Sequence, residues 1–347
     1  MSEELLEQVR ALAPWHMDIP LAPHVSTRAG NRGSGSGAER MKLVNPSDLR
    51  PLLERLYPNG LQGKRFLDCA CNAGGYSLLA SDLGAYSFGF DVRDHWIEQA
   101  RFLKRHFGKS DEQVRFEVCD LLEAGERLGN ERFDICLFKG IFYHLPDPIA
   151  ALKGVADRTD EVLILDTSCS TGDEDGFLKL FSEGVENPMS GVHHLAWLPT
   201  GPGVLARILE WLGFETCLVR WRRPVSAPTL GRICIVGARN ASLLVDLDAP
   251  PRASMVAPVD GDVVSGTYAL EARISENVVG VGKVEFQLSG ADSDEVVIGV
   301  ATRTWEGWIC NWNTTSVTNG TYRVESLAFD PEGNAGPRDG VTITVEN

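Results

Sequence analysis

An apolar run that ends in an acid and leads through small residues into a helical pattern constrains the fold of this chain most. The run is Phe66-Leu67 with Asp68 at its end, small residues follow as far as Gly75, and a helical pattern covers residues 77–83. This order predicts a strand, a tight turn and the start of a helix. Small residues let a ligand approach the backbone, and the first N–H groups of a helix are free to bind it.

A second strand pattern, Phe88 to Phe90, ends at another acid, Asp91. A carboxylate at this position can accept both hydroxyls of a ribose, as in dinucleotide-binding folds. The two signals together predict a site for a nucleoside cofactor. The turn lacks the third glycine of the dinucleotide fingerprint and the spacing to Asp91 is short, which argues against NAD.

Strand and helix patterns alternate from residue 64 to residue 240. The candidate strands are Arg65–Asp68, Ser87–Phe90, Val114–Val118, Phe133–Lys139, Glu161–Asp166, Thr216–Arg220 and Arg232–Ala238. This alternation predicts an α/β fold with a doubly wound, Rossmann-like parallel sheet and helices on both faces. Ligands of such folds bind at the carboxyl ends of the strands, near the point where the strand order reverses.

The length of 347 residues fits two domains with flanking segments. Residues 1–45 hold an amphipathic helix over residues 1–13 and a glycine- and serine-rich run, Gly30 to Gly37. That run is either a lid over a site or a disordered connector. The α/β domain is expected over residues 46–240, and its first helix over residues 49–56.

The pattern changes after Asn240. Residues 241–251 contain Pro250-Pro251 and few helix signals, which predicts a linker. Residues 252–347 show short alternating runs between turn residues, and about seven short strands of this kind predict an all-β immunoglobulin-like sandwich. The examples are Tyr268–Ile274, Lys283–Leu288, Val296–Thr302, Gly307–Asn311, Tyr322–Phe329 and Val341–Val345.

Charge and composition narrow the function classes. The net charge of −15 disfavours nucleic acid as a partner, although residues 220–223 leave a local basic patch open. No apolar run reaches the length of about 18 residues that a membrane span needs. The N-terminus is acidic without a secretory hydrophobic segment, so a cytoplasmic protein is expected. Most of the eight cysteines lie in apolar runs, as buried free thiols do in a reducing compartment.

Asp68 to Tyr76, Asp91 and Cys119-Asp120 resemble, in this order, the cofactor site of class I S-adenosylmethionine-dependent methyltransferases. In that family the first strand and turn hold the methionine portion and the ribose. The acid after the second strand holds the ribose hydroxyls, and the acid after the third contacts the adenine amino group. The resemblance implies cofactor-binding roles for Asp68, Ala70, Asn72, Gly74, Tyr76, Asp91, Val92, Asp120, Leu121, Lys139 and Gly140. The family has glycines where this chain has Ala70 and Asn72.

Residues 14–240 further resemble the branch that includes the enzyme carboxymethylating a tRNA wobble uridine. The segments that carry this resemblance are Trp15–Ile19, Thr27–Gly30, Cys71–Ser77, Phe133–Pro148 and Leu195–Thr200, the last followed by Leu205–Phe214. The tRNA enzyme neutralises the carboxylate of its carboxylated cofactor with a lysine-bearing N-terminal segment, whereas this chain has only glycine and serine at residues 33–37. Tyr143 and Arg232 do match its other carboxylate-contacting groups. An incompletely paired buried carboxylate is costly, which favours ordinary S-adenosyl-L-methionine as the cofactor.

Methyl transfer to a hydroxyl needs alignment of the acceptor and removal of its proton. His144 is the first candidate for the general base because it follows the fourth strand, and a packed structural histidine is the alternative. His193 and His194 form a second candidate pair. If they lie in a strand they point to opposite sides, so at most one faces the site. His193 is taken as the second candidate catalytic residue. No spacing of ligands demands a metal. The candidate substrate-binding residues are Trp15, His16, Tyr143, His194, Trp197 and Arg232.

The C-terminal part resembles bacterial immunoglobulin-like modules. The residues that carry this resemblance are Ala257–Gly261, Val264–Thr267, Val284–Phe286, Trp312–Val317, Asn319–Tyr322 and Ala328–Asn334. The resemblance implies self-association, docking to a partner protein, or holding a glycan or carrier-bound substrate; a stabilising appendage is the alternative.

The sequence therefore predicts a methyltransferase that modifies an oxygen of a sugar or another small polar biosynthetic intermediate. Two alternatives stay open: a tRNA wobble-uridine (carboxy)methyltransferase, and a non-catalytic scaffold with a methyltransferase fold.

Overall fold

The structure of the chain is a computed structural model. It describes residues 2–31, 43–170, 175–183, 189–224, 230–244, 250–275, 281–290, 293–304, 307–330 and 333–347. The chain forms two compact units, Met1–Leu244 and Val245–Asn347, which are taken one at a time below.

The first unit alternates strands and helices over most of its length. Its helices are α1 (Ser2–Ala11), α2 (Arg50–Leu56), α3 (Gly75–Asp82), α4 (Asp94–His106), α5 (Ala124–Arg127), α6 (Pro148–Ala156) and α7 (Pro202–Trp211). Its strands are β1 (Pro20–Ala22), β2 (Val25–Ser26), β3 (Arg65–Cys69), β4 (Tyr86–Asp91), β5 (Val114–Val118), β6 (Phe133–Lys139), β7 (Thr159–Ser170), β8 (Leu178–Ser182), β9 (Leu195–Pro199), β10 (Thr216–Pro224) and β11 (Leu230–Ala238).

Seven of these strands form one sheet in the order β10-β11-β7-β6-β3-β4-β5. The strands from β7 to β5 in this order pair parallel, whereas β11 is antiparallel to both β7 and β10. The sheet is therefore mixed, and the prediction of a parallel sheet was wrong at one edge. Only five residues separate β10 from β11 in the chain, and antiparallel strands can be joined directly, whereas parallel strands need a long crossover.

The candidate strands of residues 64–240 are all present, although β7 and β10 extend further than predicted. Their apolar runs are buried because helices cover both faces of the sheet. Phe66, Phe88 and Phe133, on three neighbouring strands, are each at most 1% exposed.

The hairpin of β8 and β9 is the main element that the sequence did not predict. The two strands pair antiparallel, from Leu178 opposite Pro199 to Ser182 opposite Leu195. The doublet His193-His194 lies just before β9 and not within a strand, and His194 has a left-handed backbone with φ of 62°. The helix that the resemblance implied after this segment is present as α7.

The segments outside the sheet pack onto the same unit. Val9 of α1 and Trp15 are fully buried. Most of the predicted lid falls on residues 32–42, which lie outside the described residues. At the other end, Ala241–Leu244 of the predicted linker form a short 3-10 helix that belongs to the first unit. None of the helices in the described residues has the length and apolar character needed to cross a membrane.

The second unit consists of two sheets. Its strands are β12 (Arg252–Ala257), β13 (Val263–Val264), β14 (Thr267–Ser275), β15 (Lys283–Gly290), β16 (Ser293–Val300), β17 (Thr302–Arg303), β18 (Trp308–Asn313), β19 (Gly320–Phe329) and β20 (Asp339–Val345). One sheet has the order β12-β14-β18-β17 and the other β13-β20-β19-β15-β16. Leu270 from the first sheet and Phe286 and Val324 from the second are fully buried in one core. The described residues of this unit thus hold more strands than the seven that the sequence predicted. Two of these strands, β13 and β17, are very short.

Candidate active site

A cavity of about 520 Å³ opens at the carboxyl ends of β3, β4, β5 and β6. The strand order reverses beside β3, so the cavity lies where open α/β sheets bind their ligands. Most of the residues that the sequence singled out line it: Asp68, Ala70, Asn72, Tyr76, Asp91, Val92, Asp120, Leu121, Lys139, Gly140, His16, Tyr143, His144, His193 and Arg232.

The turn after β3 adopts a conformation that is unusual for its residues. Ala70 and Asn72 have φ of 56° and 51°, in the left-handed region where glycine is usual. Asparagine tolerates this region, and the Oδ1 of Asn72 accepts a hydrogen bond of 2.8 Å from the Ala73 amide. The turn therefore has the left-handed path of a glycine-rich loop although the family's glycines are replaced.

Asp68 joins the end of β3 to the start of α3. Its Oδ2 accepts hydrogen bonds from the Ser77 amide at 3.1 Å and the Ser77 hydroxyl at 2.7 Å. Burial raises the pKa of Asp68 to about 7, although the bonds from Ser77 oppose the rise. This carboxyl group therefore changes its protonation near neutral pH.

Asp91 is held by the backbone on both of its oxygens. Oδ2 accepts from the Asn72 amide at 3.1 Å, and Oδ1 accepts from the Arg93 amide at 3.0 Å. Burial raises the pKa of Asp91, and these backbone bonds oppose the rise. A carboxylate has about four lone-pair sites, so each oxygen can still accept a hydroxyl from a ligand in the cavity.

Gly74 is not among the residues that line the cavity, and the structure shows a packing role for it. It precedes α3 with φ of 75°, and a Cβ there would lie 2.4 Å from the Phe116 ring and 3.1 Å from the Ala100 side chain. Gly74 therefore lets the start of α3 approach β5 and α4 closely.

Gly74→Ala is expected to destabilise the first unit by about 1–3 kcal/mol more than Gly63→Ala, because only the methyl group at position 74 would overlap its neighbours. Gly63 is a matched control, since its φ is 78° and nothing lies within 4 Å of a Cβ there. Urea unfolding of both variants measures the difference. Equal losses would mean that backbone conformation alone, and not close packing, requires glycine at position 74.

A charged cluster lies on β6, β7 and β11, which are on the other side of β3 from the strand that carries Asp91. Asp166, whose side chain is 1% exposed, accepts from Lys139 Nζ at 2.8 Å and from Arg232 Nε. Burial lowers the pKa of Arg232, but Asp166 and then Tyr143, which bonds to it, raise the pKa above its ordinary value. Arg232 is therefore a fixed cation, and it holds Tyr143 at the cavity wall.

His16 reaches the same cavity from the N-terminal segment. Burial, and after it the charge of Arg232, lowers the pKa of His16 to about 4. Its Nδ1 is buried and has no hydrogen-bond partner among the described residues. The imidazole is thus neutral at physiological pH and retains unused hydrogen-bonding capacity.

His144 is paired with a glutamate that the sequence did not suggest. Its Nδ1 lies 2.8 Å from the Glu183 carboxylate, and its ring lies beside that of Tyr143 with centroids 4.0 Å apart. Burial lowers the pKa of His144, although Glu183 opposes the fall. The imidazole is therefore neutral near physiological pH, as a general base must be.

His193 lines the cavity in a different position from the one expected of a base. Its Nε2 lies 3.2 Å from Asp120 Oδ2, and Asp120 Oδ1 accepts from the Leu122 amide at 2.9 Å. His193 therefore contacts the acid after β5 that the resemblance assigns to the cofactor.

Three of the predicted substrate-binding residues lie outside the cavity lining. Trp15 is fully buried beneath α1 and donates from Nε1 to the Val9 carbonyl at 2.8 Å. Trp197 donates to the Pro146 carbonyl at 3.1 Å, and the His194 carbonyl accepts from the Glu183 amide at 3.0 Å. Trp15 is thus part of the core, whereas substrate contact by the half-buried Trp197 and the exposed His194 stays a prediction.

Arg93, Glu183 and Trp96 belong to the site but were not predicted. Arg93 and Trp96 come two and five residues after Asp91 in sequence, and their place shortly after a strand-end acid was a usable signal for them. Glu183 lies outside every segment that the sequence singled out, and the unpredicted hairpin brings it to His144. No group of three or more histidine, cysteine or acidic side chains in the described part of the chain is arranged to hold a metal.

A family model described as Methyltransferase domain matches residues 61–196, which include β3 to β8 and the cavity residues Asp68, Asp91 and Asp120. The chain carries a methyltransferase domain. A second family model, Bacterial Ig domain, matches residues 251–325 in the second unit. The predicted fusion of a methyltransferase to an immunoglobulin-like sandwich is thereby confirmed.

The methyltransferase domain has curated relatives with two different activities. It is similar to the tRNA U34 carboxymethyltransferase of Aliarcobacter butzleri, with 32% identity over 173 residues covering 49% of this chain and 53% of the relative. It is also similar to the ubiquinone biosynthesis O-methyltransferase of Actinobacillus pleuropneumoniae, with 28% identity over 127 residues covering 36% of this chain and 53% of the relative. The chain spans about half the length of these relatives. The predicted kinship with the tRNA enzyme's branch is confirmed.

Among solved structures, the N-terminal domain of EvdMO1 with SAH bound matches the methyltransferase domain. The TM-score is 0.56 with 22% identity, over 69% of this chain and 98% of that domain. The same domain solved in the presence of SAH and D-fucose gives a TM-score of 0.55. At this identity the likeness establishes the fold, and it confirms the predicted methyltransferase sheet.

Proposed function

We propose that the methyltransferase domain binds S-adenosyl-L-methionine in the cavity and transfers its methyl group to an oxygen of a small polar acceptor. One observation carries the proposal: Asp68, Asp91 and Asp120, from three successive strand ends, line the same cavity as a neutral histidine, His144. The three carboxylates can bind a cofactor that carries ribose hydroxyls and a positive charge. The neutral histidine can accept the proton of an acceptor hydroxyl.

The residues present fit this cofactor. Asp91 has lone pairs free for ribose hydroxyls, and Asp120 can accept from an adenine amino group. The left-handed turn at Ala70 and Asn72 leaves room for a ligand against the backbone, next to Asp68. When bound, the cofactor supplies an electrophilic methyl group on a sulfonium, so that positioning does much of the catalytic work.

His144 is proposed as the general base, with Nε2 accepting the proton of the acceptor hydroxyl. His16, Tyr143 and Arg232 line the cavity near it, and we propose that they bind other hydroxyls or polar groups of the acceptor. His193 contacts Asp120, so we assign it to the cofactor side and not to proton transfer.

A sugar is the favoured acceptor. The polar side chains of His16, Tyr143 and Arg232 in the cavity lining support it, and so does the EvdMO1 domain, which was solved in the presence of SAH and D-fucose. The net charge of −15 argues against a nucleic-acid acceptor. A cytoplasmic location and a role of the immunoglobulin-like domain in docking a partner protein, a glycan or a second copy of the chain stay proposals.

Carboxymethylation of a tRNA wobble uridine is the second candidate. It is favoured by the similarity to the tRNA U34 carboxymethyltransferases and by Tyr143 and Arg232, which line the cavity as that activity would require. The position at which this chain lacks the expected lysine, residues 33–37, lies outside the described residues.

Calorimetric titration of the full chain with S-adenosyl-L-methionine, and separately with its carboxylated analogue, tests the proposal. We expect tighter binding of the plain cofactor, followed by release of S-adenosylhomocysteine when a panel of monosaccharides and nucleotide sugars is added. Tighter binding of the carboxylated form would favour the tRNA activity. Binding of neither would reject both and leave a non-catalytic scaffold.

A further inference from the structure

We propose that Glu183 is a positioning residue, which holds His144 with its proton on Nδ1 and leaves Nε2 as the acceptor of the substrate proton. This inference rests on the proposed function, because it concerns the residue proposed as the base. Glu183 itself acts only through His144.

The two shortest hydrogen bonds of this group favour one tautomer of His144. The Gly191 amide is shared between two acceptors, because it donates to Glu183 Oε2 at 2.9 Å and, over a longer distance of 3.2 Å, to His144 Nδ1. If Nδ1 carried no proton, its lone pair would face the carboxylate at 2.8 Å. With the proton on Nδ1, both the imidazole and the amide donate to the carboxylate, and only the longer contact from the amide to Nδ1 is given up.

The backbone around this pair leaves no room for a larger residue at position 191. A Cβ on Gly191 would lie 2.6 Å from the His144 carbonyl oxygen and 2.8 Å from the His144 Cβ. The Gly191 amide can therefore approach both members of the pair only because the residue is glycine.

The hairpin fixes the backbone of Glu183 as well. Glu183 directly follows β8, and its amide donates to the His194 carbonyl at 3.0 Å, which extends the β8–β9 ladder by one step. Its side chain is 17% exposed. A carboxylate on a paired strand end with a backbone donor of its own is a rigid support for an imidazole.

Charged groups from several elements face His144. Arg93 after β4 and Arg232 on β11 disfavour its protonation, whereas Glu183 on the hairpin favours it. The Tyr143 ring lies against the imidazole. Of these three charged groups, Glu183 alone therefore stabilises the imidazolium that forms when His144 accepts a proton.

Nitrogen-15 NMR of the histidines in the full chain tests the inference without a known acceptor. His144→Gln assigns the His144 signals, and Glu183→Ala, Glu183→Gln and the control Glu215→Gln are compared with the wild type. Glu215 is exposed on the surface of the same unit. We expect the Nδ1–H tautomer in the wild type, in Glu183→Gln and in the control, because glutamine can still accept the bond. Glu183→Ala should give a mixture of tautomers, and both Glu183 variants should lower the pKa of His144.

Calorimetry with S-adenosyl-L-methionine on the same samples separates this inference from the proposed function. Unchanged cofactor affinity in the Glu183 variants, together with the tautomer and pKa changes, would support a positioning role. Bound cofactor with an unchanged His144 tautomer and pKa in every variant would overturn the positioning role alone. No cofactor binding by the wild type would overturn the proposed function, and the positioning role with it.

Discussion

Asp91→Ala is expected to weaken binding of S-adenosyl-L-methionine by about 1–3 kcal/mol, or roughly 5- to 150-fold in Kd, because ribose hydroxyls lose a charged acceptor. The Asn72 and Arg93 amides, which now donate to the carboxylate, would also lose their partner. The loss therefore combines a missing contact with a less ordered turn. Isothermal titration calorimetry of the full chain measures the change.

Two further variants separate these contributions. Asp91→Asn keeps an oxygen that can accept from one of the amides, so it should lose less affinity than the alanine. Asp111→Ala is the control, since Asp111 is exposed and pairs with Lys104 on the surface. If Asp91→Ala binds the cofactor as tightly as the control does, the ribose does not lie at Asp91 and the placement of the cofactor in this cavity is rejected.

The sheet was predictable because its strands are much more apolar than the sequence on either side of them. A strand buried on both faces must be apolar along its whole length, and β6 therefore has the bounds that its apolar run predicted. The acids of the cavity were predictable for a related reason. A polar residue directly after such a run, as Asp91 is, falls at the edge of the sheet where the ligand site lies.

The hairpin of β8 and β9 was not predictable in the same way. Its strands are half exposed and carry no clear alternation, as in Leu180 and Phe181, which are 54% and 43% exposed. Glu183 becomes significant only through its contact with His144, which is 39 residues away in sequence. A residue whose role comes from a long-range contact gives no local signal.

Proximity to a motif in sequence was a poor guide to the acceptor side. Trp15 and His16 are neighbours in the same segment, yet Trp15 is fully buried beneath α1 whereas His16 lines the cavity. A large aromatic ring gains most from complete burial, so it packs the framework that presents the smaller polar residue. The resemblance to the family identified the correct segment, but it did not show which side chain of that segment faces the cavity.

Asp68→Asn is expected to stabilise the first unit at alkaline pH while it weakens cofactor binding. Burial raises the pKa of Asp68 from an ordinary value of 3.8 to about 7, so the folded protein retains a proton that the unfolded chain releases. The stabilisation from this proton is complete below pH 3.8 and is lost as the pH rises through about 7. Asparagine does not titrate, and its side-chain oxygen can still accept from Ser77.

The free energy of unfolding of Asp68→Asn minus that of the wild type should therefore increase between pH 4.5 and pH 8.5, by roughly 2–4 kcal/mol. Urea unfolding at several pH values measures it. Asp82→Asn is the control, because Asp82 is a surface acid of the same unit that pairs with Lys109. A flat profile for Asp68→Asn would mean that Asp68 is already charged in the folded protein. A rising profile with weaker cofactor binding would mean that the site keeps a buried acid at a cost in stability, because the cationic cofactor favours its charged form.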